Sequence, residues 1–274
     1  MNNNIFEENT GFLKLSSNHP GLHDPIYRQR RTDFYKLALQ HREQNKPLPI
    51  IDYTESENAI WSKINQQLAK AHQEKACSIY LRGKERLGLS ANQLPQISLL
   101  NEQLMNSHQV SLAPAEGVID DRGFFRYLAN RTMPCTIFLR HDGDPNYTPE
   151  PDIVHDVLGH VPPLMDPEYA ELMQLIGLAA SNANEKDLVA WARVYWFSIE
   201  FGLIQEGDDL KVFGAGLLSS SGEMEYCFSN EVERRPFEIE DVMATDYDNS
   251  QMQKILFYIP SFEFLKNQIK KLVR

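Results

Sequence analysis

Cysteine is scarce in this chain. Cys77, Cys135 and Cys227 are all that 274 residues contain, an odd number, far apart and without a Cys-x-x-Cys pair. That excludes a disulfide framework and a thiolate metal cage, and leaves three reduced core residues. No apolar stretch approaches the roughly 20 residues that span a bilayer, and Met1–Glu8 lacks the basic-then-apolar order of a secretion signal. The chain is therefore expected to be soluble and cytoplasmic. Positive charge is also in short supply: Lys+Arg 27 against Asp+Glu 38 gives a net charge of −11, which disfavours nucleic acid and anionic lipid and leaves small molecules as the expected ligands. Gly214-Ala215-Gly216 begins like a dinucleotide fingerprint but lacks its third glycine, and Ser219-Ser220-Ser221 lacks the Gly-Lys of a phosphate loop. It reads as a tight turn that brings backbone and a serine near a ligand. No internal repeat or low-complexity segment is visible.

What is present suits one mostly helical α+β domain over 25–274, preceded by a polar, aperiodic and loosely ordered arm over 1–24. Helical spacing runs from Tyr27 to about Glu43, from Ser56 to about Glu74 with Ile60, Trp61, Ile64 and Leu68 on one stripe, over 95–107 and over 123–130. Longer helices are expected from Pro167 to Ala180, from Lys186 to Leu203 and from Ser261, a plausible N-cap, to Val273. Strand signals are few and short: Val110–Leu112, Cys135–Leu139 and Ile255–Ile259.

The most informative stretch is Pro151-Asp152-Ile153-Val154-His155-Asp156-Val157-Leu158-Gly159-His160-Val161-Pro162-Pro163, with Glu200 downstream. Two imidazoles and one carboxylate on a single face of an ion leave positions open on Fe(II) for dioxygen chemistry. Residues five apart on an ideal α-helix are rotated by about 140° from each other. A straight helix therefore cannot bring His155 and His160 to one metal, and Gly159 with Pro162-Pro163 is expected to end it so that His160 curls back beneath His155. The zinc-protease motif needs a spacing of four and a Glu after the first histidine; here the spacing is five and the next residue is Asp156. Downstream, Ala192, Trp196 and Glu200 are four apart and share a helix face, with Tyr195 and Ile199 beside them. Such a stripe is ordinarily core packing, but an acid within it needs a partner, which a metal would provide. Arg140, at the end of an apolar strand, reads either as a solvated strand end or as a fork for a carboxylate. A zinc hydrolase with the same triad, or a ligand-binding protein without catalysis, stays open on these residues alone.

Taken together, Arg140-His141, Tyr147 through Asp152, His155-Asp156 through Pro162, Tyr195-Trp196-Phe197 with Glu200 through Leu203, and Gly214 through Ser220 resemble the catalytic domain of the pterin-dependent aromatic amino acid hydroxylases, nearest the phenylalanine-hydroxylating branch. The resemblance runs from about Pro25 to the last helix. It implies an enzyme that para-hydroxylates L-phenylalanine to L-tyrosine with O2, with Fe(II) held by His155, His160 and Glu200 and tetrahydrobiopterin or a related tetrahydropterin as electron donor. Pterin would stack on Phe124 and lie along Gly117, Val118 and Ile119, flanked by Asp156, Ala192 and Tyr195. The amino acid would set its carboxylate on Arg140, its backbone near Thr148 and Ser219, and its ring near Pro149, Pro151, Trp196 and Phe201.

Two residues depart from the pattern common in animal members. Asp156 stands where Glu is usual there, although Asp is familiar in bacterial ones. Asn249 occupies a position that tends to be apolar in phenylalanine-preferring and acidic in tyrosine-preferring members, which leaves tyrosine or tryptophan as alternative substrates, while Trp196 leans away from tryptophan. A regulatory domain and a tetramer-forming tail are not expected, so the chain should be a monomer or small homo-oligomer.

Overall fold

The computed structural model describes residues 11, 13–117, 119–143 and 150–273. The first half is a succession of capped helices. Asp24 accepts the Ile26 and Tyr27 backbone N–H groups and Pro25 brings a preset φ, which starts α1 (Pro25–Gln44). Thr54 and Glu57 form a reciprocal capping box that starts α2 (Glu55–Lys75), whose buried stripe includes Trp61, Ile64 and Leu68, as its spacing predicts. The arm departs from expectation over its described part: Leu13, Leu15 and His19 are buried, and the Leu13 N–H donates to Thr32 Oγ1 of α1 at 2.9 Å. Aperiodic chain still anchors itself when a few apolar side chains find a helix face.

The sequence reading has no counterpart for α3 (Ser78–Leu87), where Gly83 weakens the helical signal. That glycine is there for space. A Cβ on Gly83 would lie 1.8 Å from the Pro162 carbonyl oxygen, so its absence lets α3 press on the segment that follows His160. Next come α4 (Ile97–His108), β1 (Ser111–Ala115), α5 (Asp121–Ala129) and β2 (Thr132–Thr136), with β1 and β2 parallel and Ser111 opposite Thr132. The strand expected over Cys135–Leu139 thus pairs three residues early, and Ile137, Phe138 and Leu139 run on beyond the ladder, buried. Their apolarity reports burial, and burial does not require pairing.

In the second half, α6 (Pro167–Ser181) and α7 (Glu185–Tyr195) lead into a four-stranded sheet of order β4-β3-β6-β5, made of β3 (Leu203–Glu206), β4 (Asp209–Val212), β5 (Glu233–Pro236) and β6 (Ile255–Ile259). Short helices α8 (Ala215–Leu218), α9 (Ser221–Tyr226) and α10 (Ile239–Ala244) fill its connections, and α11 (Phe262–Leu272), capped by Ser261, closes the domain. The architecture is the mostly helical α+β domain the sequence predicts, and among the described residues no helix is long and apolar enough to cross a membrane.

One buried polar cluster ties the helices to the site. His72 of α2, 2% exposed, donates from Nε2 to the Leu218 carbonyl at 2.7 Å, while Lys84 of α3 donates to its Nδ1 at 3.0 Å. Burial, reinforced by the Lys84 charge, lowers the His72 pKa to about 3. The unfolded chain then takes up a proton near pH 6.5 that the folded chain refuses until about pH 3, so stability falls as pH drops through that window. Acidifying from pH 7 to 5.5 is expected to remove about 1.3 kcal/mol through this residue. Chemical denaturation at both pH values checks this, and the difference should shrink in His72→Gln.

Candidate metal centre

The histidines meet because the backbone changes its helical period between them. His155–His160 is a turn of π-helix, in which the Val161 N–H reaches back to the Asp156 carbonyl, five residues away, at 3.1 Å. The wider turn brings residues five apart onto one side. The helix therefore does not end at Gly159, as the sequence reading expects. Gly159 is required instead by the approach of α8, since a Cβ there would lie 2.7 Å from the Ala215 carbonyl oxygen. Asp152, wholly buried, accepts the His155 N–H at 3.2 Å and so starts the turn.

Glu200 is delivered by the same device. Trp196–Glu200 is a second π turn, with Phe201 N–H to Trp196 carbonyl at 2.9 Å, so the expected α-helix through Leu203 stops at Tyr195. The residue whose side chain meets Glu200 is then the one five earlier: the Tyr195 hydroxyl donates to Glu200 Oε1 at 2.9 Å. Gly214 and Gly216, expected to form a tight turn, open α8 and make room for this second turn. A Cβ on either would lie 2.5 Å from the Glu200 carbonyl oxygen or 2.7 Å from the Phe201 ring respectively.

The three donor groups converge. His155 Nε2 and His160 Nε2 are 3.1 Å apart, His160 Nε2 and Glu200 Oε1 3.0 Å, and His155 Nε2 and Glu200 Oε2 3.5 Å. Ligands at about 2.1 Å from one ion lie about 3.0–3.4 Å from each other, depending on octahedral or tetrahedral geometry. The observed triangle fits one cation on a face made of two imidazoles and a carboxylate. Electrostatics agree. Burial would raise the Glu200 pKa, but the two imidazoles hold it well below the usual range; burial would lower that of His155, but Glu200 raises it to about 9. Both shifts describe a buried spot arranged for positive charge, which a divalent cation brings.

Partners outside the triangle orient it. His155 Nδ1 donates to Ser219 Oγ at 3.1 Å, and that hydroxyl donates onward to the Ala215 carbonyl at 2.8 Å, which fixes the tautomer that leaves Nε2 open to a metal. Ser219, expected near the amino acid's backbone, is thus engaged with a ligand side chain. Ser219→Ala is expected to weaken Fe(II) binding by about 10–100-fold, the usual penalty for losing such an orienting partner. An Fe(II) titration checks it.

Beside the triangle lies a pocket walled by Gly117, Ile119, Phe124, Pro151, Asp156 and Tyr195, next to a larger basin that shares Gly117, Ile119 and Glu150. The Phe124 ring stands edge-on to Tyr195 at 5.1 Å. Asp156 is held by Thr136, whose N–H and hydroxyl donate to Oδ2 at 2.6 and 2.7 Å; burial raises its pKa, only partly offset by the neighbouring histidines. Ala192, expected at the pterin's flank, packs on the core and is not among the residues that line the pocket. Val118, Thr148 and Pro149 lie outside the described residues.

The remaining expected residues are not among those that line this pocket. Trp196 packs on Phe201 at 4.6 Å and stacks on Tyr247 at 4.2 Å. Asn249 is exposed on the segment that carries Tyr247. Arg140 is buried, not a solvated strand end, and is forked onto Asp152: Nε to Oδ2 at 2.9 Å and Nη2 to Oδ1 at 2.7 Å. Burial opposes ionisation of Asp152, but Arg140 outweighs it and keeps the carboxyl below the ordinary value. Sequence reasoning missed Asp152, Thr136, Tyr247 and Gln253. The only signal was Asp152 itself, an acid one turn before His155.

Known proteins share much of this sequence and fold. The chain is 36% identical over 261 residues to the phenylalanine-4-hydroxylase of Rattus norvegicus, a match covering 94% of this chain and 57% of that protein. It is 42% identical over 212 residues to the chloroplastic phenylalanine 4-monooxygenase of Physcomitrium patens, covering 77% and 54%. The chain thus spans somewhat over half the length of these curated relatives. The phenylalanine hydroxylase of Chromobacterium violaceum, solved with iron(III) and 7,8-dihydrobiopterin, superimposes with a TM-score of 0.78 at 36% identity, covering 83% of this chain and 84% of that one. The apo phenylalanine hydroxylase of Colwellia psychrerythraea gives 0.77 at 32%, covering 82% and 89%. A triangle of metal-ligating groups built on two π turns beside a pocket, and a family model matching residues 3–274, lead to one conclusion: the chain belongs to the biopterin-dependent aromatic amino acid hydroxylases.

Proposed function

We propose that this protein is an iron- and tetrahydropterin-dependent monooxygenase that para-hydroxylates L-phenylalanine to L-tyrosine with O2. The observation that carries the reading is the position of the His155, His160 and Glu200 donor atoms at the floor of a pocket walled by Phe124, Ile119 and Tyr195. Bound there, Fe(II) with reduced pterin supplies the electrons that activate O2. The protein's own part is to hold and order the reactants. His155, His160 and Glu200 would hold the metal through their three converging donor atoms. Phe124 offers a ring for the flat pterin, with Gly117 and Ile119 along its edge. Arg140, aimed by Asp152, receives the amino acid's carboxylate, and Pro151, Trp196 and Phe201 give its ring a dry wall. Three buried free thiols and the acidic surface support work in the cytoplasm, as a monomer or small homo-oligomer.

The test is an anaerobic Fe(II) load followed by O2, a tetrahydropterin and each aromatic amino acid in turn, with products identified by mass. Tyrosine formed from phenylalanine, dependent on all three additions, is the expected result. Hydroxylation of tyrosine or tryptophan in preference would reassign the substrate. Activity with zinc and without O2 or pterin would make the protein a hydrolase.

A further inference from the structure

Trp196 is held from outside by a residue that no motif points to. From Asp246 to Lys254 every residue is exposed except Gln253, which is 5% exposed. Its amide is fully used: Oε1 accepts the Trp196 indole N–H at 3.1 Å, while Nε2 donates to the Asp248 carbonyl at 2.8 Å and to the Gln251 carbonyl at 2.7 Å. An amide has two donor hydrogens and one oxygen, so a single side chain ties both carbonyls of the exposed segment to the ring beneath. The segment it folds includes Tyr247, whose ring lies 4.2 Å from Trp196 at an interplanar angle of 11°. Beyond that stack, the Tyr247 ring meets only the edge of Phe197, at 6.1 Å, among the ring contacts of the described residues.

We infer that Gln253 is a positioning residue that sets amino-acid selectivity, by pinning the Tyr247–Ser250 segment against Trp196 and thereby fixing the depth of the aromatic wall. This rests on the reading of Trp196 as part of the substrate wall. A wall whose rear is clamped discriminates by size, because a longer or bulkier ring must displace it. Releasing the clamp lets the wall yield, and yielding favours the larger ring over phenylalanine.

The experiment compares wild type, Gln253→Met, Tyr247→Leu and the double variant. Gln253→Met keeps the length of the side chain and loses all three hydrogen bonds. The ratio of kcat/KM for phenylalanine to that for tyrosine is expected to fall about 10-fold in Gln253→Met, a change of about 1.4 kcal/mol. Tyr247→Leu should do the same and the double variant no more, because both act through one wall. Hydrogen exchange of the 246–252 amides should accelerate in Gln253→Met, with pterin KM and iron content unchanged. Calorimetric Kd values for phenylalanine and tyrosine on the metal-loaded protein give the same comparison with no turnover. If wild type hydroxylates no aromatic amino acid, the functional reading fails, and the ratio of binding constants still decides this one. Faster exchange with a selectivity ratio within twofold of wild type overturns the inference, as does strict additivity of the two substitutions.

Discussion

Glu200→Gln is expected to leave the chain folded but nearly unable to hold iron. The substitution keeps the shape of the side chain and removes its charge, so the two imidazoles, 3.1 Å apart, lose the anion that makes their pocket favourable for a cation. Loss of a mere orienting partner weakens metal binding about 10–100-fold, so loss of a ligand charge should exceed about 100-fold. Hydroxylation should fall at least in proportion. Iron titration with thermal unfolding as control decides it. Wild-type iron occupancy with wild-type turnover would remove Glu200 from the triad.

The second large effect lies at Arg140 and Asp152, and the structure changes what the sequence alone would forecast. Read as an isolated carboxylate fork, Arg140→Ala would lower activity and touch nothing else. In the folded chain its guanidinium is 6% exposed and its partner 0%, and removing one member strands the other as a buried charge. Arg140→Ala and Asp152→Asn are therefore each expected to lower stability by about 3–5 kcal/mol. Arg140→Ala should also disturb iron binding, because Asp152 caps the turn that begins at His155. The informative variant is Arg140→Leu with Asp152→Leu. Replacing both charges by apolar groups should restore most of the stability. Measured at saturating Fe(II), because Asp152 also caps the His155 turn, kcat/KM for phenylalanine should stay at least about 10–150-fold down, the worth of a charge-assisted contact to the substrate. Denaturation curves and kinetics on the same samples separate the roles. Wild-type kcat/KM in the double variant would mean that the carboxylate binds elsewhere.

These outcomes show what kind of information the residues carry. The three groups that converge were legible because His155, His160 and Glu200 are chemically costly choices in an apolar context. The way they meet was not, because a π turn leaves no periodic hydrophobic signature: the stretch around His160 reads equally well as a helix ending at Gly159. Four-residue spacing pointed to Trp196 as the neighbour of Glu200, whereas the extra residue in the turn hands that place to Tyr195. Caps and stripes gave α1, α2, α6 and α11 closely, since those signals are local. The short elements between β3 and β6 are set by what they pack on, and Thr136, Ser219 and Gln253 act on groups 20, 64 and 57 residues away in the chain, where no local pattern reaches.

The two wide turns also constrain how this chain can change in length. Each is bounded by buried residues, Val154 and Val161 around the first and Tyr195 and Phe201 around the second, so an inserted or deleted residue cannot be shed into solvent at either end. Such a change would instead rotate the following ligand by about 100°. Insertions and deletions, natural or engineered, should accordingly collect in exposed turns such as Gly207-Asp208 and be absent from 155–160 and 196–200.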